Sequence, residues 1–321
     1  MSKAAQQAES NIHRGAFIDG LGTVARLRNL VPLRNRLLGK QHTDTALHLL
    51  ETADLRRYKV VTVLHPGGRP PQLSRTERAA GRLARFDCDR CVPAVRYVDD
   101  RRLIVDFVPG TVLTDALLDQ QRSALLARFI ARNQPPVAAA EYKRPDPARW
   151  VETLSAAGLL SGSELQSART AAGRLSALDA PPAALCFTDS ALKNYVLRPD
   201  GGICFIDVFG IRIDLVGLSL VRQLLSLPGH ARGPFLEAYL RASPCDRQLY
   251  NQLPEYCICQ LLERSAKHIP PSDHGRRKQR TRARHKQRAR LLQLSLQRLQ
   301  HCLQLPNTPD AFYSWLTDAS V

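Results

Sequence analysis

Methionine and aromatic residues are scarce in this 321-residue chain, which has one Met, two Trp, eight Tyr and nine Phe. Leu, Val and Ala therefore carry much of its 44% hydrophobic content, as suits a helix-rich body. No stretch reaches the roughly 18 consecutive apolar residues that a membrane-spanning helix needs. The first residues lack the charged, apolar and small-residue order of a secretory signal, so the expectation is a cytoplasmic protein. Eight cysteines scattered through a large chain without an export signal do not make a disulfide framework. Cys88/Cys91 and Cys257/Cys259 form two close pairs, but turn glycines and histidines are missing around them, so free thiols are expected rather than a zinc site. Acidic residues are also few, 29 against 46 Lys and Arg, which leaves a net charge of +17.

What is present is enough for one large core or two lobes. The most informative stretch runs from Asp189 to Gly210. Tyr195-Val196-Leu197 reads as a short apolar strand, Arg198-Pro199-Asp200-Gly201-Gly202 as a turn, and Ile203-Cys204-Phe205-Ile206 as a second strand. Such a hairpin has Asn194 where it begins and Asp207 where it ends. Two hard oxygen ligands then meet at one end of a two-stranded unit, as magnesium chemistry requires. The bland alternative is that Asp189, Asn194 and Asp207 are ordinary turn residues.

This pattern of an Asp, four residues, an Asn, a hairpin and a second Asp near Phe-Gly resembles the protein-kinase-like superfamily. The resemblance implies an α+β, two-lobed fold with a small β-rich N-lobe and a larger helical C-lobe. It also implies ATP and Mg2+ as cofactors. Asp189 would accept the proton of the substrate hydroxyl, Asn194 and Asp207 would hold the metal, and Lys193 would offset charge on the transferred phosphoryl group. The chain departs from the pattern in two places: Phe187 stands where a His is usual, and Val208 separates Asp207 from Phe209-Gly210.

Upstream, Lys59-Val60-Val61-Thr62-Val63-Leu64 reads as a strand broken by His65-Pro66-Gly67-Gly68. Thr62 falls where kinases place the nucleotide lysine, and Lys59 would need a shift or a bulge to take its place. Ser74-Arg75-Thr76-Glu77 opens a helix in which Glu77 is either the kinase-type glutamate on the nucleotide side or half of a capping box with Ser74. Two strands, Val92–Val98 and Arg102–Val108, follow around a polar turn. By resemblance, backbone groups from Asp106 to Val108 would pair with adenine. Residues 1–55 read as a basic, helix-rich extension. Their Gly20-Leu21-Gly22-Thr23-Val24-Ala25 imitates part of a glycine-rich phosphate loop, with Ala25 in place of the third Gly.

The positive charge concentrates in residues 276–290, where nine Lys and Arg occur without an acidic residue. Leu291, Leu292, Leu294, Leu296 and Leu299 then mark an amphipathic helix of imperfect spacing. Such a segment attracts phospholipid headgroups or nucleic acid, or it is simply a solvated basic face. The expected organisation is an extension (1–55), an N-lobe (56–109), a C-lobe (110–270) and a basic tail (271–321). The break His65-Pro66-Gly67-Gly68, Ser74-Arg75, Val92-Pro93 and Val108-Pro109-Gly110 are similar to bacterial lipopolysaccharide core kinases. That similarity implies phosphorylation of a sugar hydroxyl on an anionic glycolipid at the inner face of the cytoplasmic membrane. A catalytically inactive kinase fold serving as a binding or regulatory module is the alternative, and nucleic-acid binding is a third.

Overall fold

The computed structural model describes residues 17–18, 24–25, 27–32, 45–52, 55–63, 74–86, 90–138, 141–142, 144–178, 181–269 and 280–318. The chain divides into two compact units, one of residues 1–114 and 191–212, the other of residues 115–190 and 213–321.

The first unit begins with a short antiparallel pair, β1 (Phe17–Ile18) and β2 (Val24–Ala25). The five-stranded antiparallel sheet that follows is made of β3 (Leu27–Pro32), β4 (Thr45–Thr52), β5 (Arg57–Val63), β6 (Val95–Val98) and β7 (Arg102–Asp106), in the order β3-β4-β5-β7-β6. Two of these strands lie within residues 1–55, where the sequence suggested a helix-rich extension. Thr45–Thr52 explains the difference, because His48, Leu50 and Thr52 alternate inward on a strand whose charged end, Glu51, faces out to Arg57. Of the Gly20–Ala25 stretch, Val24 and Ala25 form β2, and residues 20–23 lie outside the described residues. Residues 33–44, between β3 and β4 in sequence, lie outside the described residues.

β5 is the spine of this unit. Val60, Val61 and Val63 are fully buried, and burial of each contributes on the order of 1.5–3 kcal/mol. Between β5 and β6 runs α1 (Arg75–Leu83), which starts with a complete capping box between Ser74 and Glu77. After β7, Gly110 adopts a positive φ of 146° and admits no side chain, since a Cβ there would lie 2.3 Å from the Leu197 carbonyl oxygen. This close approach lets β8 (Thr111–Val112) pair with a later strand.

In the second unit, α2 (Gln120–Arg132), α3 (Pro147–Ala156) and α4 (Gly162–Ala177) precede β9 (Ala183–Phe187). The chain returns to the first unit for β10 (Tyr195–Leu197) and β11 (Ile203–Phe205), which complete a small sheet with β8. β12 (Ile211–Leu215) pairs with β9 and leads to α5 (Val216–Leu224), α6 (Gly229–Ala242), α7 (Asp246–Asn251), α8 (Leu253–His268), α9 (Arg280–Gln304) and α10 (Pro309–Thr317).

α8 is buried almost all round, including Tyr256, Cys257, Cys259, Leu261 and Leu262, because α3, α4, α5, α9 and α10 all pack on it. Both cysteines of that pair are free thiols whose burial pushes their pKa up. Cys88, of the other pair, lies outside the described residues. The tail helix α9 is an integral part of this unit, and its inward stripe is Ser295, Leu299 and Cys302, at helical spacing. Leu294, expected on the apolar face, is exposed.

Gly217 marks the tightest helix contact. A Cβ there would come 2.2 Å from a ring carbon of Tyr256. Gly217→Ala is expected to lower stability by about 1–3 kcal/mol, read as a lower urea midpoint, and an unchanged midpoint would contradict the packing described.

Candidate active site

The β10–β11 hairpin forms for local reasons. Tyr195, Val196 and Leu197 pair with Phe205, Cys204 and Ile203. Gly201 supplies the positive φ of the turn, while the Asp200 carboxylate accepts the Gly202 amide. The Tyr195 and Phe205 rings, fully buried, meet edge to face at 5.1 Å. At the open end the Ile206 amide donates to the Asn194 carbonyl at 2.8 Å, so Asn194 and Asp207 come to the same end of the hairpin.

Asp207 is fixed by its own turn. The Phe209 amide donates to Oδ1 at 3.2 Å, and the Gly210 amide to the Asp207 carbonyl at 2.9 Å. A Cβ at residue 210 would sit 2.7 Å from Asp207 Oδ2, so only glycine leaves room for the carboxylate in this position.

Lys59 reaches the same place from the sheet. Its Nζ donates to the Ile206 carbonyl at 2.9 Å. Burial lowers the pKa of the ammonium, and the negative charge of Asp207, with a smaller contribution from Cys204, opposes that shift. No bulge is needed to bring it there, because β5 pairs residue for residue with both β4 and β7 across Lys59. Thr62, expected at the lysine register, is buried, and its hydroxyl has no hydrogen-bond partner among the described residues.

Glu77 accepts the Ser74 amide at 2.7 Å, and that bond holds its carboxyl below the usual range; it makes no contact with Lys59. The Asp106 side chain takes a bidentate pair of 2.7 Å bonds from Arg96, and its amide donates to Ala94, so neither is available to a ligand. The Val108 amide has no hydrogen-bond partner among the described residues. Lys193 sits in the 3-10 turn Leu192–Asn194 and forms no ion pair among the described residues.

Asp189 belongs to the helical unit, two residues beyond β9. The following carbonyl, Ser190, accepts from Gln223 Nε2 at 3.3 Å and from Ser226 Oγ at 3.1 Å, which ties the Asp189 loop to α5. Phe187, in place of the usual His, is buried and stacks on Phe129 at 5.5 Å. Sequence reasoning missed Gln223, near the end of α5, and Ser226, two residues past it, whose only signal was polarity in a Leu- and Val-rich stretch.

No family model matches the sequence, and no curated protein does. Among solved structures, a choline/ethanolamine kinase family protein from Mesorhizobium loti superposes with a TM-score of 0.55 at 13% identity, over 98% of this chain and 99% of that one. The chain has the protein-kinase-like fold. A macrolide 2′-phosphotransferase from Brachybacterium faecium gives 0.52 at 14% identity, covering 89% and 97%. An amicoumacin kinase in complex with AMP-PNP, Ca2+ and Ami gives 0.54 at 12%, covering 97% and 96%. Within the kinase-like fold, Lys59 is on the third strand of the sheet, Glu77 on the helix after it, and Asn194 and Asp207 at one end of a later hairpin.

The Lys59 ammonium predicts a pH signature. Its folded-state pKa lies below the unfolded value, so the unfolded chain binds more protons between the two, and stability rises with pH through that window. Urea unfolding from pH 7 upward should show this rise in the wild type and not in Lys59→Met. The same slope in both would place the titration elsewhere.

Proposed function

We propose that this protein is an ATP-dependent phosphotransferase that phosphorylates a sugar hydroxyl of an anionic, lipopolysaccharide-core-like glycolipid. The observation that carries the reading is the meeting of Lys59, Asn194 and Asp207 at the end of one hairpin. Carboxylate and amide oxygens are the donors Mg2+ takes, and the glycine at 210 leaves room for the Asp207 carboxylate. Asn194 and Asp207 would hold the metal, which when bound neutralises charge on the nucleotide phosphates.

Lys59 supplies a cation to the phosphates, and Lys193 a second cation for the transferred group. The Val108 amide is the adenine donor. Asp189 accepts the acceptor hydroxyl proton, and Gln223 and Ser226 position its loop. Glu77 acts by fixing the start of α1. Catalysis of this kind rests on positioning and charge stabilisation. Structural neighbours support the coarse part of the reading: one is a kinase bound to a nucleotide analogue and a divalent ion, and another is named as a phosphotransferase acting on a macrolide.

The glycolipid acceptor rests on the Val-Pro and Pro-Gly placements shared with the core kinases and on the basic segment 276–290. Within that segment, Arg288 and Arg290 are exposed on α9. Its other Lys and Arg side chains lie outside the described residues. In this reading the segment holds the enzyme at an anionic membrane surface. No helix among the described residues is long and apolar enough to cross a membrane. The second reading, an inactive kinase fold used for binding, draws on the Glu77 carboxylate being committed to its cap.

Purified protein should bind ATP only with Mg2+, and Asp207→Ala should abolish that binding. Asp189→Asn should keep nucleotide binding and lose about 10²–10⁴-fold in turnover with a core-sugar acceptor. Magnesium-dependent binding without turnover on any sugar acceptor would favour the binding module. Binding unaffected by Asp207→Ala would overturn both readings of the site.

A further inference from the structure

Phe209 is held both by its backbone and by its ring. Its amide donates to Asp207 Oδ1 at 3.2 Å, and the Arg75 guanidinium stands 4.3 Å from the ring centroid. Two residues on, the Ile211 carbonyl accepts from Arg82 Nη1 at 3.0 Å. Arg75 and Arg82 are about two turns apart, so both leave α1 on one face and grip the chain on either side of Gly210. Helix stability does not account for Arg75, because a cation at the first position of a helix stands against the helix dipole. What the residue gains there is the Phe209 ring.

α1 is in turn fixed to the sheet. Ser74 and Glu77 close its capping box, and the fully buried Thr76 donates its hydroxyl to the Asp99 carbonyl in the turn between β6 and β7. The Asp99 carboxylate accepts the amides of Arg101 and Arg102 at 2.9 and 2.6 Å, which closes that turn. A series of contacts therefore runs from the sheet through Thr76 and Arg75 to Phe209 and the Asp207 carboxylate. It passes through a residue, Phe209, that Val208 displaces by one position from the kinase-like pattern.

We propose that Arg75 and Arg82 are positioning residues for the metal carboxylate: by holding Phe209 and Ile211 they set the direction in which Asp207 presents its oxygens. The proposal rests on the reading of Asp207 as a metal ligand. A partner that orients a metal ligand is worth about 10–100-fold in metal affinity. The expected effect of losing either arginine is therefore on the metal, with the nucleotide contacts left in place.

Isothermal titration of the full chain with AMP-PNP, across a series of Mg2+ concentrations at constant ionic strength, tests the proposal without turnover. In Arg75→Gln the Mg2+ concentration giving half-maximal nucleotide affinity should rise at least about tenfold, with affinity at saturating Mg2+ unchanged, and Arg82→Gln should shift it in the same direction. Arg75→Lys keeps a cation beside the ring and should restore most of the Mg2+ response. Phe209→Leu removes the ring and keeps the amide, so it should lose what Arg75→Gln loses, and the double variant should lose no more than either alone. Each variant is measured below its own melting transition, and the Phe209→Leu and Arg75→Lys arms carry the test if Arg75→Gln does not fold. An unshifted Mg2+ response in the folded variants, or losses that multiply in the double variant, would overturn the proposal and leave the metal site standing. Binding that Asp207→Ala leaves unchanged would overturn both.

Discussion

An ammonium group enclosed by protein is stable only where something nearby compensates it, and the Lys59 Nζ has the Ile206 carbonyl and the Asp207 charge. This one contact joins positions 147 residues apart and makes the first unit from two separate stretches of chain. Other ties run in parallel. β8 pairs with β10, the Phe205 amide donates to Cys91, Arg82 reaches Ile211, and Arg90 with Arg198 grips the Asp200 turn. The hairpin therefore belongs structurally to the sheet that carries Lys59, although the sequence places it after most of the first helices. The bond between Lys59 and the Ile206 carbonyl thus ties the sheet to the hairpin.

The helical unit holds Asp189 by different means. Phe187 packs on Phe129 where a hydrogen-bonding histidine would be usual, so the strand that delivers the loop is anchored by apolar stacking. A half-buried ionic chain lies in the same unit. Arg222 donates to Asp214 at 2.7 Å and to Glu263 at 3.1 Å, and Glu263 also pairs with Lys267. Arg222, Asp214 and Glu263, the least exposed members, each have a partner, the condition for a charge withdrawn from water to be tolerated. With Gln223 and Ser226 holding the Ser190 carbonyl, α5 contributes both to the ionic chain and to the loop.

Much of the candidate site was legible because it is local in sequence. The hairpin is encoded by two short apolar runs and a Pro-Asp-Gly-Gly turn, and its register follows from those residues alone. The Ser74/Glu77 capping box is equally local, and the structure contains it in full. What could not be read depends on distant partners. Lys59 seemed out of register because strict alternation says which face a side chain leaves from, not how far a long flexible one reaches. Strand β4 was obscured because Leu47, Leu49 and Leu50 suit a helix as readily as a strand. In α9 the run of leucines drew attention away from Ser295 and Cys302, which lie on the buried stripe, while Leu294 faces water.

The central claim is that Asn194 and Asp207 form one metal site beside Lys59, and diffraction from crystals grown with Mn2+ and AMP-PNP tests it most directly. The account predicts an anomalous peak at coordination distance, about 2.0–2.3 Å, from the Asn194 side-chain oxygen and an Asp207 carboxylate oxygen. It also predicts that the Lys59 ammonium faces the nucleotide phosphates. A nucleotide bound with its metal on other residues, or a Lys59 side chain turned away from the phosphates, would contradict it.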